Sequence, residues 1–308
     1  MKNIIQKVPL PICGVMLGTA TLGNLLQSYS EGIRYVCGVF SAFLLLLVVL
    51  KIIMFPKKFA EDMENPIMAS VFATCPMGIM LLSTYIKPFI GGAAYYIWLL
   101  AIAMHICLIV WFTIKFIIKF DLKKVFASYF IVYVGIAAAA ITAPAYEKTS
   151  IGTAAFWFAF VSLLILLVLV TCRYLKHREI PQPAAAIICI YTAPAALCTA
   201  GYVQSVTPKS YGLLMTLFAM SLVLYIFAFV RSLSLLKLPF YPSISAFTFP
   251  FAISAVASKQ TMACLQNMDK PMPVLQYLVL FQTVVAVIYV VYAYYRYMAA
   301  IFGTAKKQ

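Results

Sequence analysis

The sequence predicts an all-α integral membrane protein with ten transmembrane helices arranged as five parallel helical hairpins. Three observations carry this. Of 308 residues, 65% are hydrophobic and 10% charged, and the mean hydropathy is +1.00. Soluble domains are about half apolar and roughly a quarter charged, so the excess points to lipid rather than a soluble core. Apolar runs of about 20 residues, the length that crosses a bilayer, recur ten times with short loops between them, which makes neighbours antiparallel. Prolines inside those runs occur only in alternate runs.

The runs fall at 9–28, 33–55, 66–87, 93–118, 125–145, 151–174, 184–206, 210–236, 240–265 and 273–300. The first opens on Pro9 and Pro11. It lacks a clean small-residue cleavage site and leads into further spans, so it reads as a helix rather than a cleaved signal. It has no interior proline but carries Gly14, Gly18 and Gly23 with Thr19 and Thr21. The third contains Thr74-Cys75-Pro76, the seventh Thr192-Ala193-Pro194 and the ninth Thr248-Phe249-Pro250, each about ten residues in and so near mid-membrane by the helical rise. The fifth contains Thr142-Ala143-Pro144 closer to its outer end. Gly135 and the following alanine run stand nearer its middle.

An interior proline frees a carbonyl and kinks its helix. In lipid this is tolerated where protein or water satisfies the backbone again. The odd-numbered helices should therefore face an interior or a pore, and the even-numbered ones should form the lipid-facing wall. A threonine two residues before the proline can bond a nearby carbonyl and help set the bend. Chance in a chain holding many threonines and prolines is the competing account. Between Thr and Pro the four sites hold Cys75, Ala143, Ala193 and Phe249. Phe249 is the bulky member, placed to close a lumen that small residues leave open.

The formal net charge is +15. On a soluble chain this would suggest nucleic acid. Here the cations sit in short loops, and topology explains them. One side holds Lys2, Lys7, Lys51, Lys57, Lys58, Lys115, Lys119, Lys123, Lys124, Arg173, Lys176, Arg178, Arg231, Lys237, Arg296, Lys306 and Lys307. The other holds Arg34, Lys87, Lys148, Lys209, Lys270 and, near a helix end, Lys259. The richer side is cytoplasmic by the positive-inside rule, which places both termini inside a bacterial-type plasma membrane.

None of the eight acidic residues (Glu31, Glu61, Asp62, Glu64, Asp121, Glu147, Glu179, Asp269) lies at a span centre. A proton- or sodium-coupled carrier usually needs an intramembrane ionisable group, so passive anion permeation through a neutral lumen is favoured. Kinked helices can supply the anion site themselves, because half-helix N-termini present N–H groups and partial positive charge. Lys259 is a candidate for drawing anions to the mouth, or a snorkelling interfacial lysine. His105 is the histidine inside a span, a proton relay or a buried wall residue; His177 lies in a basic loop. Arg296 after VVYAYY reads as an interfacial anchor. The eight cysteines form no C-x-x-C pair and read as packing residues. No phosphate loop, nucleophile elbow or zinc spacing is present, so neither cofactor nor metal is expected and a membrane enzyme is disfavoured.

Four stretches, PLPICGVMLGTATLGNL, PIMASVFATCPMGIMLL, YFIVYVGIAAAAITAPA and AFTFPFAISAVAS, resemble the tellurite-resistance/dicarboxylate transporter family. That family includes TehA-type proteins, yeast malate permease and plant guard-cell slow anion channels. The resemblance covers nearly the whole chain. It implies five hairpins around a quasi-five-fold pore lined by odd helices, a homotrimer with one pore per subunit, and a phenylalanine gate that maps onto Phe249. The chain departs from relatives at Ala127-Ser128-Tyr129, where their fifth helix often opens with proline and tryptophan. An anion channel or channel-like transporter is the leading reading. A secondary carrier for dicarboxylates or oxyanions is the alternative. The permeant anion stays open.

Overall fold

The computed structural model describes residues 2–118 and 120–303. Lys119, Lys306 and Lys307, assigned above to the cytoplasmic side, lie outside them. The described residues are helical with no strand. The helices are α1 (Lys2–Lys7), α2 (Ile12–Leu26), α3 (Glu31–Met54), α4 (Pro56–Asp62), α5 (Pro66–Phe72), α6 (Thr74–Ile90) and α7 (Ala93–Phe112). They continue with α8 (Tyr129–Val134), α9 (Ala137–Thr142), α10 (Thr149–Lys176), α11 (Ala193–Ser205), α12 (Tyr211–Leu235), α13 (Phe249–Asn267) and α14 (Leu275–Phe302).

Among the described residues, seven stretches are long and apolar enough to cross a membrane: Glu31–Met54, Pro66–Ile90, Ala93–Ile117, Thr149–Lys176, Gln182–Ser205, Tyr211–Leu235 and Leu275–Phe302. The other three expected spans are helical but fall short of that standard. Helix α2 has 15 residues. The fifth run is divided into α8, α9 and a 3-10 turn, Ala143–Tyr146. Helix α13 has 19 residues but is diluted by Ser254, Ser258, Lys259 and Gln260.

Burial separates the runs into two layers. Pro66–Ile90 and Gln182–Ser205 are 78% and 94% buried over their most apolar windows, against 28% to 44% for the five outer helices α3, Ala93–Ile117, α10, α12 and α14. Helices α2, α8, α9 and α13 are mostly buried. The outer helices expose Val39, Leu100, Ile165, Val223, Val291 and many similar side chains. In water such a surface would be an aggregation hazard; in a bilayer it is the ordinary solvent contact.

The inner segments are interrupted, and the prolines explain how. Helix α5 stops at Phe72 and α6 restarts at Thr74, with Pro76 in its first turn. The 3-10 stretch Gln182–Thr192 gives way to α11, with Pro194 second. The 3-10 stretch Pro242–Phe247 gives way to α13, with Pro250 second. In a first turn the missing proline N–H has no intrahelical partner to lose. These prolines therefore restart a helix rather than bend one. The fifth segment breaks at Gly135-Ile136, and Pro144 sits in its closing 3-10 turn. Helix α2 runs unbroken. Pro88, which the sequence places in a loop or first turn, lies inside the last turn of α6. Its missing N–H frees the Thr84 carbonyl, and Arg34 donates to that oxygen at 3.4 Å.

The cations of the richer side recur in one structural role. Near the end of α3, Lys51 donates to the carbonyls of Gln6 (2.7 Å) and Val8 (3.0 Å), just before α2. After α7, Lys115 pairs with Glu64, just before α5. At the end of α10, Arg173 donates to the Lys123 carbonyl (3.4 Å), ahead of α8. In α14, Arg296 donates to the Leu238 carbonyl (3.4 Å), ahead of α13. Four of the five outer helices thus fasten the chain leading into the inner segment before them. The sparser side caps inner-segment ends: Lys87 on Ala145, Lys209 on Tyr202 (3.0 Å) and Lys259 on Leu25 (3.0 Å). Cations suit exposed C-terminal carbonyls.

Candidate functional site

The five inner segments enclose a cavity of about 290 Å3. Each contributes one face: Pro11 and Gly14; Val71, Thr74 and Met77; Ile131, Val134 and Gly135; Ala184, Ile187, Ile190, Ala193 and Leu197; Ser245, Ala246 and Phe249. The spacing has a local cause. In a 3-10 helix residues i and i+3 eclipse, so Ala184, Ile187 and Ile190 form a straight apolar row that Ala193 continues. The lining starts at Asn65, Pro181 and Pro242, where the segments begin. It goes no further along them than Gly14, Met77, Gly135, Leu197 and Pro250. In the four interrupted segments the cavity therefore ends near the interruptions, and in the first it ends in the opening turn of α2.

Three helices start on that floor: α6 at Thr74, α11 at Ala193 and α13 at Phe249, each first residue lining the cavity. Each helix start carries partial positive charge from its dipole, although the Ala193 N–H is itself donated to the Ile190 carbonyl. No Asp, Glu, Lys or Arg is among the lining residues. The polar lining includes Asn65, Thr74, Ser243 and Ser245. Asn65 caps α5 through the N–H groups of Ile67 and Met68. The Ser243 hydroxyl is buried and has no partner among the described residues.

Phe249 is buried, at 6% exposure, on this floor. Its backbone is held from behind. Thr248 donates to the carbonyls of Gly14 (2.8 Å) and Ser245 (2.7 Å). A methyl on Gly18 would come within 2.5 Å of Thr248 Cβ and 2.7 Å of the Phe249 nitrogen. Only glycine permits that approach.

A family model described as voltage-dependent anion channel (SLAC1) matches residues 7–298. The chain belongs to the voltage-dependent anion channel family. The match takes in every residue of the cavity. Among curated proteins there is no significant match. Membership of the anion channel family and the apolar outer helices make the chain a multi-pass membrane protein of a channel and transport family.

In this anion channel family member, Thr74, Gly135, Ala193, Pro194, Phe249 and Pro250 line the cavity together. Gly18 and Thr248 lie directly behind Phe249. Thr19, Cys75, Pro76, Thr142, Pro144 and Thr192 do not line it. The register decides this. Thr74 faces the cavity, and Cys75 is turned about 100° further round the helix. Phe249 accordingly faces large neighbours as well as small ones. Met77 and Leu197 share its level and escaped the sequence comparison, although each stands three residues after a lining position.

Three of the four threonines bond as expected: Thr74 to the Val71 carbonyl (2.7 Å), Thr142 to that of Ala138 (2.8 Å) and Thr248 to that of Ser245. Thr192 instead bonds the Ser254 hydroxyl on α13 (2.9 Å). Thr142 also accepts from Trp98 Nε1 (2.7 Å). Thr19 bonds within its own helix. Lys259 binds Leu25 and the Ser28 hydroxyl (2.5 Å) and is not part of the cavity. His105 is fully buried behind the fifth-segment break. Its Nε2 donates to the Val132 carbonyl (2.9 Å), Nδ1 has no hydrogen-bond partner among the described residues, and Cε1 would lie 3.0 Å from a methyl on Gly135.

Proposed function

We propose that the protein is an anion channel or channel-like transporter whose pore follows the five inner segments and is gated by Phe249. The observation that carries this is a carboxylate-free cavity whose floor joins three helix N-termini and Phe249. A neutral wall does not repel anions, the N-termini attract them, and a bulky ring at the floor occludes passage. Phe249→Ala raises the anion current of purified protein in planar bilayers several-fold. Unchanged current in a folded, conducting variant would sink the gate assignment.

The proposal includes ten spans in five hairpins, with both termini on the cation-rich, cytoplasmic side of a bacterial-type plasma membrane. The family resemblance adds a homotrimer with one pore per subunit. A coupled carrier for dicarboxylates or related oxyanions is the second reading. It is favoured by His105, an ionisable group one layer behind the lining residue Gly135. Large ohmic current unaffected by a proton gradient selects the channel. Saturable flux that follows the gradient, lost in His105→Phe, selects the carrier.

A further inference from the structure

We infer that the protein has a second anion site, for phosphate-class oxyanions, beside the mouth of the central cavity. Between the turn Leu122–Lys124 and residues 177–181 lies a hollow of about 950 Å3. Lys123, Arg173, Lys176 and Arg178 line it against one carboxylate, Glu179. Among the described residues that carboxylate makes no ion pair, and neither do the four cations. Asp121, the nearby acid, pairs with Lys124 instead, at 3.8 Å.

Arg173 distinguishes this from a solvated basic loop. It is 3% exposed. Its guanidinium stands 4.3 Å from the Phe126 ring centroid and 4.9 Å from that of Tyr174. Its Nη atoms donate to the carbonyls of His177 (3.1 Å), Lys123 (3.4 Å) and Glu179 (3.5 Å). These acceptors are neutral, so among the described residues the buried charge has no counter-charge. Nε is buried without a partner among them. A buried cation is costly unless paired, and the guanidinium fork matches the oxygens of a phosphate. Lys123, Lys176 and Arg178 are exposed at the rim, able to close on the remaining oxygens. A singly charged halide would not call on so many donors.

Pro181 lines both this hollow and the central cavity. An oxyanion held here places negative charge beside the cavity mouth and lowers the arrival of permeant anions. That consequence rests on the permeation reading; the site itself does not. The phosphate can be free in solution or the head of an anionic lipid, since the hollow lies at the end of α10, where an outer helix leaves the membrane.

The test is calorimetric titration of the full-length protein, in phosphate-free neutral detergent, with inorganic pyrophosphate and separately with short-chain phosphatidic acid. Saturable binding of at least one ligand is expected, with equal ionic strength of chloride failing to displace it. Binding of pyrophosphate alone assigns the site to free phosphates; binding of phosphatidic acid alone assigns it to lipid heads. The exposed pair Lys123→Ala/Arg178→Ala weakens binding about tenfold or more, as loss of two charge-assisted contacts should. Arg173→Lys, checked by thermal melting, weakens it although the charge is kept. Phe249→Ala leaves it unchanged. No saturable binding of either ligand overturns the proposal, as does undiminished binding by the rim double variant. Because no current is measured, a protein that binds phosphate but does not conduct would overturn the channel reading alone.

Discussion

Gly18 and Thr248 meet where α2 passes behind the cavity floor, and the position of Phe249 depends on that contact. Adding one methyl at residue 18 displaces Thr248 and the backbone that carries the ring. Overpacking of this kind costs about 1–3 kcal/mol. Gly18→Ala therefore lowers the thermal unfolding midpoint in detergent by several degrees. Gly212→Ala, where the nearest atom is 3.9 Å away, leaves the midpoint unchanged or slightly raised. Equal behaviour of the two variants would refute the role given to Gly18. Gly135 is a parallel case, with His105 behind it. Neither partnership is visible to a reader of the chain, because nothing near residue 18 or 135 names what lies across from it.

At the scale of the element, the inner segments show how a helix can be interrupted without leaving its backbone unsatisfied. Pro76, Pro194 and Pro250 occupy first turns, where no hydrogen bond is lost. Pro88 is the counter-example: it stands inside α6, and Arg34 supplies the donor that Pro88 lacks. Arg34→Met leaves the Thr84 carbonyl without that donor, at a cost of about 1–3 kcal/mol. Pro88→Ala restores a backbone N–H and recovers part of the loss. A double-mutant cycle with no coupling between the two positions would count against this pairing. Composition and proline position are local properties, so the apolar runs and the alternation of inner and outer segments were legible in the chain. The cavity register was not. It depends on 3-10 stretches, whose period of three replaces 3.6 over Gln182–Thr192 and Pro242–Phe247. That substitution puts Ala184, Ile187 and Ile190 in one row on the lining. The partner of Lys259 was hidden for another reason: Leu25 is 234 positions away.

Across the whole molecule, buried segments, all but the first interrupted, stand inside a ring of continuous apolar helices, and cations of the richer face fasten one layer to the other. Lys51, Lys115, Arg173 and Arg296 repeat this fastening in four places. The charge asymmetry thus has a mechanical use. The same plan leaves the centre without a full charge. An anion reaching the floor of the cavity exchanges its water shell for Ile187, Ile190, Met77 and Leu197, with helix N-termini and a few hydroxyls as partial replacement. On the proposed permeation route, dehydration is then the main barrier, because removing an ion from water without full compensation is expensive. Large, weakly hydrated anions shed that shell most easily. In the Phe249→Ala variant, reversal potentials under bi-ionic conditions should rank thiocyanate and iodide above nitrate, nitrate above chloride, and chloride above fluoride. Fluoride passing as readily as chloride would mean that the ion keeps its water. The apolar wall, rather than any charged residue, would thus sort anions by their hold on the solvent.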